Sequence, residues 1–349
     1  MKTILAALLL ASSVVMAADP LSGTLRISGN DEMAGLLKRW EAGFRKQHPD
    51  VRIEAWLKGT DSAMYGLEMR TADLALMGRP VNPYERYGIY ERAWVYPVEI
   101  EVATGSFTTP HKSAAYTVFV HKDNPLASLT VKQLDGIFGA ERGGGWNALT
   151  WDESAAHSKA DNIRTWGQLG VKGEWASKPI TVYGPPNLGA GTITWFQQKV
   201  MGGGAIFNED LREYPDRKRM IADLERDKYG IAYGALGYRT PGVKPIALAQ
   251  APGGPFVAPT RESVAARTYP LARPVYAYYT IDNEKTEIAN PRVDPKVRAF
   301  LTYILSPEGQ AAVAADKDYL PLTRAVAGEQ LKKLDFDGVP PERKLLKDD

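Results

Sequence analysis

Strand-like and helix-like patterns alternate over the first quarter of the chain. Apolar and polar residues alternate in Thr24–Ser28 and Val51–Trp56 as in half-buried strands, and Ala72–Met77 is an apolar run typical of a buried strand. Between these runs, Met33–His48 and Ser62–Arg70 place apolar residues at helical spacing. This β-α-β-α-β order predicts a mostly parallel sheet, with a ligand site at the carboxyl ends of its strands.

The rest of the chain continues these patterns around a loop-rich stretch between residues 139 and 170. The same criteria predict strands over 116–120, 180–183 and 275–280, and helices over 130–138, 193–200, 291–305 and 306–315. Trp146, Trp151 and Trp166 lie in the loop-rich stretch, and the sequence leaves open whether such rings pack the protein or stack on a sugar. The 349 residues exceed the usual size of one hydrophobic core, so two domains are expected.

Residues 1–17 have the pattern of a secretory signal peptide. Lys2 precedes a short apolar stretch, and Val15 and Ala17 stand where small residues precede a cleavage site, which predicts a mature start at Ala18. The alternative is a short N-terminal membrane anchor, although the apolar stretch is too short to span a bilayer. The chain contains no cysteine, which excludes disulfides, thiolate metal sites and a lipid-anchored cysteine. We therefore expect a protein that is free in the periplasm and is not a lipoprotein.

Charge and motifs argue against several other classes of protein. The net charge is +2 and no basic block stands out, so nucleic acid is not an expected partner. The motifs of serine hydrolases, zinc proteases and P-loop nucleotide-binding proteins do not occur. The four histidines are scattered without the spacing of metal ligands. We expect neither catalysis, nor a metal, nor a cofactor.

A glycine-rich loop between a predicted strand and a predicted helix is the main candidate for chemistry. Gly184–Thr192 connects the strand at 180–183 to the helix at 193–200, and its last residues carry no bulky side chain. Free backbone N–H groups at a helix start favour a small anion, because the positive end of the helix dipole points the same way. The alternative is an ordinary turn that needs glycine only for its backbone angles.

Several short motifs, in a fixed order along nearly the whole mature chain, resemble the periplasmic phosphate-binding proteins of phosphate ABC importers. These motifs are Ile27–Met33, Lys58–Ser62, Ala72–Pro80, Phe119–Leu126, Leu129–Gly139, Tyr269–Pro274, Ile304–Gln310 and Tyr319–Leu322. The resemblance implies an α/β type II periplasmic binding protein fold of two lobes with a ligand cleft between them. Each lobe is expected to be a mixed, mostly parallel sheet flanked by helices, with residues 22–115 plus 270–349 in lobe one and 116–269 in lobe two.

The resemblance also implies a set of ligand-binding residues at three helix starts and one strand end. The matching positions are Asn30, Asp31, Glu32, Met33, Thr60, Asp61, Ser62, Gly78, Arg79, Gly189, Ala190, Gly191 and Thr192. Four positions depart from the pattern of the family. Pro186 stands for an arginine and Ala190 for a serine, Glu32 falls on a usual threonine, and Met77 or Gly78 falls where many relatives have serine or aspartate.

Two readings remain open for the charged residues of this set. Arg79 either neutralises charge in the cleft or is a surface arginine at a strand end. Glu32 and Asp61 are either ordinary acidic residues at helix starts or acceptors of a proton from the ligand. A carboxylate in the site would favour an oxyanion that retains a proton over a fully ionised one such as sulfate.

The resemblance implies an exported solute-binding protein, acting as a monomer, that captures a small oxyanion and delivers it to an ABC permease. Phosphate is the leading ligand. Because of Pro186, Ala190 and Glu32, another oxyanion or a phosphorylated or carboxylated organic compound is the next candidate. A sensory or interaction role beside a membrane sensor, without a transport ligand, is the alternative from a different class.

Overall fold

The computed structural model describes residues 21–93, 96–147, 150–187, 191–281 and 293–334, so the predicted signal peptide at 1–17 lies outside the described residues. The strands are β1 Gly23–Gly29, β2 Val51–Leu57, β3 Leu74–Met77, β4 Val98–Thr104, β5 Tyr116–His121, β6 Ser128–Thr130, β7 Gly145–Asn147, β8 Thr150–Asp152, β9 Thr181–Gly184, β10 Arg212–Glu213, β11 Gly230–Ala235, β12 Val243–Pro245, β13 Ala247–Ala249 and β14 Pro274–Tyr279.

The α-helices are α1 Ala34–Gln47, α2 Thr60–Glu68, α3 Pro83–Ala93, α4 Val131–Phe138, α5 Gly191–Val200, α6 Arg217–Leu224, α7 Arg261–Ala265, α8 Pro295–Leu305, α9 Pro307–Asp316 and α10 Arg324–Lys332. Short 3-10 helices cover Asp31–Met33, Glu153–Ala155, Lys159–Asp161, Trp166–Leu169, Gly173–Trp175 and Leu236–Tyr238. Within the described part of the chain, no helix has the length and apolar character needed to cross a membrane.

Two five-stranded sheets organise the molecule. The first has the strand order β2-β1-β3-β14-β4, and the second has the order β10-β9-β11-β5-β12. In each sheet two pairings are parallel and two are antiparallel, so the sheets are evenly mixed rather than mostly parallel as expected. The antiparallel pairings of the first sheet all involve β14, which arrives from the second sheet rather than through a helical crossover from a neighbouring strand.

The chain crosses between the two sheets in two segments that lie side by side. It leaves the first sheet at Thr104 and enters the second at Tyr116, and it returns through residues 269–273 to β14. The Gly105 N–H donates to the Arg273 carbonyl at 2.7 Å, and the Tyr116 N–H donates to the Leu271 carbonyl at 3.1 Å. These backbone bonds hold the two crossing segments together. The hinge is this pair of segments, residues 105–115 and 269–273.

Each sheet has a hydrophobic core of its own. Around the first sheet, Trp40 of α1 is fully buried, and its indole N–H donates to the Gly309 carbonyl at 3.0 Å, which attaches α1 to α9. In the second, the rings of Phe196 and Tyr233 stack with centroids 3.8 Å apart. Phe138 contacts both of these rings edge-on. Two clusters of buried apolar residues surround the first sheet and two surround the second, so each sheet with its helices forms a body of its own.

Most predicted elements are confirmed, with shifts of a few residues at their ends. Helix α4 begins where Thr130 and Gln133 form a reciprocal capping box. Helix α3 was not predicted, because it lacks a clear apolar stripe. Its start nevertheless carries a readable signal: Asn82 and Glu85 cap each other's backbone N–H groups at 2.9 Å on either side of Pro83.

Candidate functional site

A cavity of about 270 Å³ lies at the carboxyl ends of β1, β2, β9 and β11, beside the crossing segments. The residues that line it include Asn30, Asp31, Glu32, Thr60 and Asp61 from the helix starts after β1 and β2, His111, Ser113 and Arg273 from the crossing segments, and Gly191, Arg217 and Tyr238 from the second body. The cavity therefore has walls from both bodies and from the hinge that joins them.

Asn30 and Glu32 form the first wall of the cavity. Asn30 is buried and caps the 3-10 turn at the start of α1, because its side-chain oxygen accepts from the Glu32 N–H at 3.1 Å. The Glu32 carboxylate reaches back and accepts from the Ser113 N–H at 3.0 Å. Glu32 thus lines the cavity, and it also connects the start of α1 to the first crossing segment.

Ser113 is a residue that sequence reasoning missed. It is 2% exposed, and its φ of +48° lies in the left-handed region that few residues other than glycine adopt. Its hydroxyl has no hydrogen-bond partner among the described residues. A buried polar group left unpaired costs about 1–3 kcal/mol, which a ligand that bonds to it would recover.

Arg273 supplies the positive charge of the hinge, and it too was missed. It is 6% exposed, and one of its terminal nitrogens donates to the Gly78 carbonyl at 2.5 Å. Its Nε has no partner among the described residues. The guanidinium lies 5.7 Å from the ring centre of Tyr116 and 5.5 Å from that of Trp195, which holds it by cation–π contact. Burial raises the pKa of Tyr116 to about 12, so this ring stays neutral beside the arginine.

Only the position of Arg273 in the chain could have drawn attention to it. It is the last residue before β14, inside a motif that resembled the family but was assigned no role. The local sequence, in which Arg273 lies between Pro270 and Pro274, does not indicate the direction of its side chain. The contact to Gly78 depends on how the return strand pairs with β3 and is a tertiary feature.

Arg79 does not line the cavity, which corrects the prediction that it neutralises charge there. Its side chain is 2% exposed and forms two hydrogen bonds of 2.7 Å with Glu85 and one of 2.7 Å with Asp61. Although burial alone lowers the pKa of Arg79, the hydrogen bonds and charges of Glu85 and Asp61 outweigh it and hold the pKa above its ordinary value. Arg79 is therefore a buried cation that joins α2 to the start of α3, and its Nε has no partner among the described residues.

Three other predicted residues also lie away from the cavity. Met33 is fully buried in the core of the first body and presents no side chain to a ligand. The Ser62 hydroxyl donates to the Gly59 carbonyl at 2.8 Å and stays within its own helix turn. Gly78 lies behind Ser113, where its lack of a side chain leaves room for the serine hydroxyl.

The glycine-rich loop is described only in part. Gly189 and Ala190 lie outside the described residues, as does the side chain of Thr192. Gly191 begins α5 and lines the cavity. A Cβ on Gly191 would lie 3.2 Å from the Arg79 side chain, so glycine here allows the second body to approach the first.

The second body adds polar groups that sequence reasoning did not identify. Arg217 begins α6, and one of its terminal nitrogens donates to the backbone carbonyls of Tyr214 and Pro215. The Tyr238 hydroxyl lies 3.3 Å from the His111 Nε2, a hydrogen bond that joins the second body to the first crossing segment. Among the described residues, no group of histidine and acidic side chains is arranged to hold a metal ion.

Gly78→Ala is expected to lower the free energy of unfolding by about 1–3 kcal/mol, the usual cost of overpacking. A Cβ at this position would overlap the Ser113 hydroxyl and lie 2.9 Å from the Asn30 side-chain nitrogen. Urea unfolding would measure the change. Gly328→Ala in α10 is the matched control, since a Cβ there meets nothing within 4 Å and should leave stability equal or higher by up to about 1 kcal/mol. Equal stability of both variants would contradict the packing at Gly78.

Two sheet-based bodies, two hydrogen-bonded crossing segments and a polar cavity at the hinge define a two-lobed binding protein of the type II periplasmic fold. A family model described as the PBP superfamily domain matches residues 15–308, and the chain belongs to that family.

Individual relatives agree with this assignment. The chain is 32% identical over 334 residues to the phosphate-binding protein PstS of Pseudomonas aeruginosa, which covers 93% of this chain and 94% of the relative. It is 25% identical to the protein SphX of Synechococcus elongatus, over 80% of this chain and 72% of the relative. Among solved structures, an ABC-type phosphate transport receptor from Vibrio cholerae matches with a TM-score of 0.55 and 18% identity, over 85% of this chain and 99% of that chain, which supports the fold.

Proposed function

We propose that this protein is an exported solute-binding protein that captures phosphate in the hinge cavity for an ABC importer. The observation that carries the proposal is a set of three buried polar atoms without partners among the described residues, the hydroxyls of Ser113 and Tyr233 and the Arg273 Nε, in residues that line one cavity. All three can donate a hydrogen bond to an oxyanion. The relative with 32% identity over nearly the whole chain is named a phosphate-binding protein, which supports phosphate as the anion.

The arginine of this site comes from the hinge. The family pattern places an arginine at the position of Pro186, which cannot donate at all. Arg273 offers a guanidinium to the same cleft from the return segment, so the loss at Pro186 does not leave the cavity without a cation. An anion held at the hinge contacts both bodies, and its capture would favour their closure.

The wider role follows from the same proposal. The protein acts in the periplasm after removal of residues 1–17, as a monomer without a catalytic step, and delivers its ligand to an ABC permease. Lobe one comprises residues 22–115 and 270–349, and lobe two comprises residues 116–269. The positions of the two sheets in the chain support this division.

Isothermal titration of the mature protein tests the proposal. Phosphate is expected to bind, and sulfate to bind at least about tenfold more weakly, because the Glu32 carboxylate beside Ser113 opposes a fully ionised anion. Thermal unfolding gives an independent readout, since a ligand at 100 times its Kd stabilises the folded state by about 2.7 kcal/mol.

Absence of both heat and thermal shift with phosphate, sulfate, molybdate and tungstate at millimolar concentration would contradict capture of an oxyanion. That result would favour the sensory role without a transport ligand. Equal affinity for phosphate and sulfate would leave anion capture in place but remove the role given to Glu32.

A further inference from the structure

The wall of the cavity carries charges of both signs, and they come from different elements. Asp31, Glu32 and Asp61 line it from the helix starts after β1 and β2, whereas the positive charges are Arg273 in the return segment and Arg217 at the start of α6. Among the described lining residues, carboxylates therefore outnumber guanidiniums. A ligand that carries only negative charge would meet this excess directly.

Two of these carboxylates keep negative charge that the neighbouring described residues do not fully balance. Asp31 is exposed, and no hydrogen bond or ion pair joins its carboxylate to another described residue. Asp61 bonds to Arg79 through one oxygen, but Glu85 binds the same guanidinium twice, so this group of three keeps one net negative charge. The Asp61 side chain is 68% exposed. Both carboxylates can therefore pair with a positively charged group of the ligand.

The acidic residues share the cavity with an anion-binding part. The Ser113 hydroxyl and the Arg273 Nε are buried donors without partners, and both residues line the same cavity as Asp31 and Asp61. Donors at the hinge suit the oxygens of an anion, and the exposed carboxylates on the helix starts suit a positive group. The cavity is thus complementary to a molecule with two poles.

We propose that the ligand captured here is a phosphoryl compound that also carries an ammonium group, as a phosphate ester or a phosphonate of a short amine. Its phosphoryl oxygens accept hydrogen bonds from Ser113 and Arg273, and its ammonium lies against Asp31 and Asp61. This inference rests on the proposed function, because it specifies the substrate class of the same cavity.

The size of the cavity agrees with a ligand larger than an inorganic anion. Its volume of about 270 Å³ lies just below the range of roughly 300–1,000 Å³ typical of pockets for drug-sized organic molecules. A short aminoalkyl chain beside the phosphoryl group fits this space. The aminoalkyl chain of the ligand would extend from the hinge toward Asp31 and Asp61 at the helix starts.

Titration of the mature protein with matched ligand pairs tests the inference. Phosphoethanolamine is compared with ethyl phosphate, and 2-aminoethylphosphonate with ethylphosphonate, so that each pair differs only by the amine. Each amine is expected to bind about fivefold more tightly than its partner, which is the upper end of what one exposed ion pair contributes. The two pairs separate an ester from a phosphonate as the source of the phosphoryl group.

Asp31→Asn locates the amine. The variant is expected to reduce the advantage of phosphoethanolamine at least about threefold, and to bind ethyl phosphate as tightly as the native protein or more tightly, because a repelling charge is lost. Asp50→Asn removes an equally exposed carboxylate of the same lobe that does not line the cavity, and it should change neither affinity. A merely structural role of Asp31 would lower both affinities together.

The outcomes separate this inference from the proposed function. If phosphate and ethyl phosphate bind but neither amine gains affinity, the inference is wrong and phosphate capture stands. If no phosphoryl compound binds, inorganic phosphate included, both are wrong. An advantage of the amine that survives in the double variant Asp31→Asn with Asp61→Asn would also overturn the inference, since the ammonium would then lie elsewhere.

Discussion

Arg273→Ala is expected to weaken phosphate binding by about ten- to a hundredfold, because one charged hydrogen bond contributes about 1.5–3 kcal/mol. The buried guanidinium has a free Nε in a residue that lines the cavity. Isothermal titration measures the loss. Arg226→Ala removes an exposed arginine of the second body, which pairs with Asp223 and does not line the cavity, and it is the control for net charge. Equal phosphate affinity in native protein and Arg273→Ala would mean that this arginine does not bind the ligand.

Ser113→Ala separates binding from folding. The serine hydroxyl has no partner among the described residues, so its removal should leave the free energy of unfolding unchanged or raise it. Phosphate affinity should nevertheless fall by about tenfold if the ligand bonds to this hydroxyl. The comparison matters because Arg273→Ala also leaves the Gly78 carbonyl without its donor and so costs some stability. Lower stability with unchanged affinity in Ser113→Ala would contradict the proposed site.

Arg79→Ala is expected to lower the free energy of unfolding by about 3–5 kcal/mol, the usual cost of removing one partner of a buried ion pair. The Glu85 side chain is only 12% exposed and would be left without its two bonds to the guanidinium. Urea unfolding measures the loss. Lys332→Ala, which removes a partner of the exposed pair with Glu329, should cost no more than about 1 kcal/mol.

The same experiment decides between two roles for Arg79. A structural cation predicts a large loss of stability, with phosphate affinity preserved in whatever fraction remains folded. A ligand-binding cation, which the sequence suggested, predicts the opposite pattern. If Arg79→Ala lowers the free energy of unfolding by less than about 1 kcal/mol and phosphate affinity by about tenfold, Arg79 binds the ligand.

Much of the candidate site on the first body could be predicted, because it follows from local patterns. Strands end and helices begin at Asn30, Glu32 and Thr60. Such a boundary can be recognised in the sequence, because the spacing of apolar residues changes there from that of a strand to that of a helix. These positions line the cavity. Met33 was also predicted to contact the ligand, but its side chain is buried in the core of the first body. One side of the helix start faces that core, and an apolar side chain packs there.

The sequence by itself determined most of the strands and helices and the turns after β1 and β2 that line the cavity. Periodicity, caps and short motifs are local properties, so they can be read along the chain. Charge placement was decided only by the tertiary structure. Arg79, chosen from its place at a strand end, is drawn into a buried ion pair by Glu85 of a helix that the pattern did not reveal. Arg273 and Ser113, far apart in the chain, meet because the two crossing segments lie side by side. Burial makes an unpaired donor costly, and which donors remain unpaired depends on every neighbour that the fold brings together.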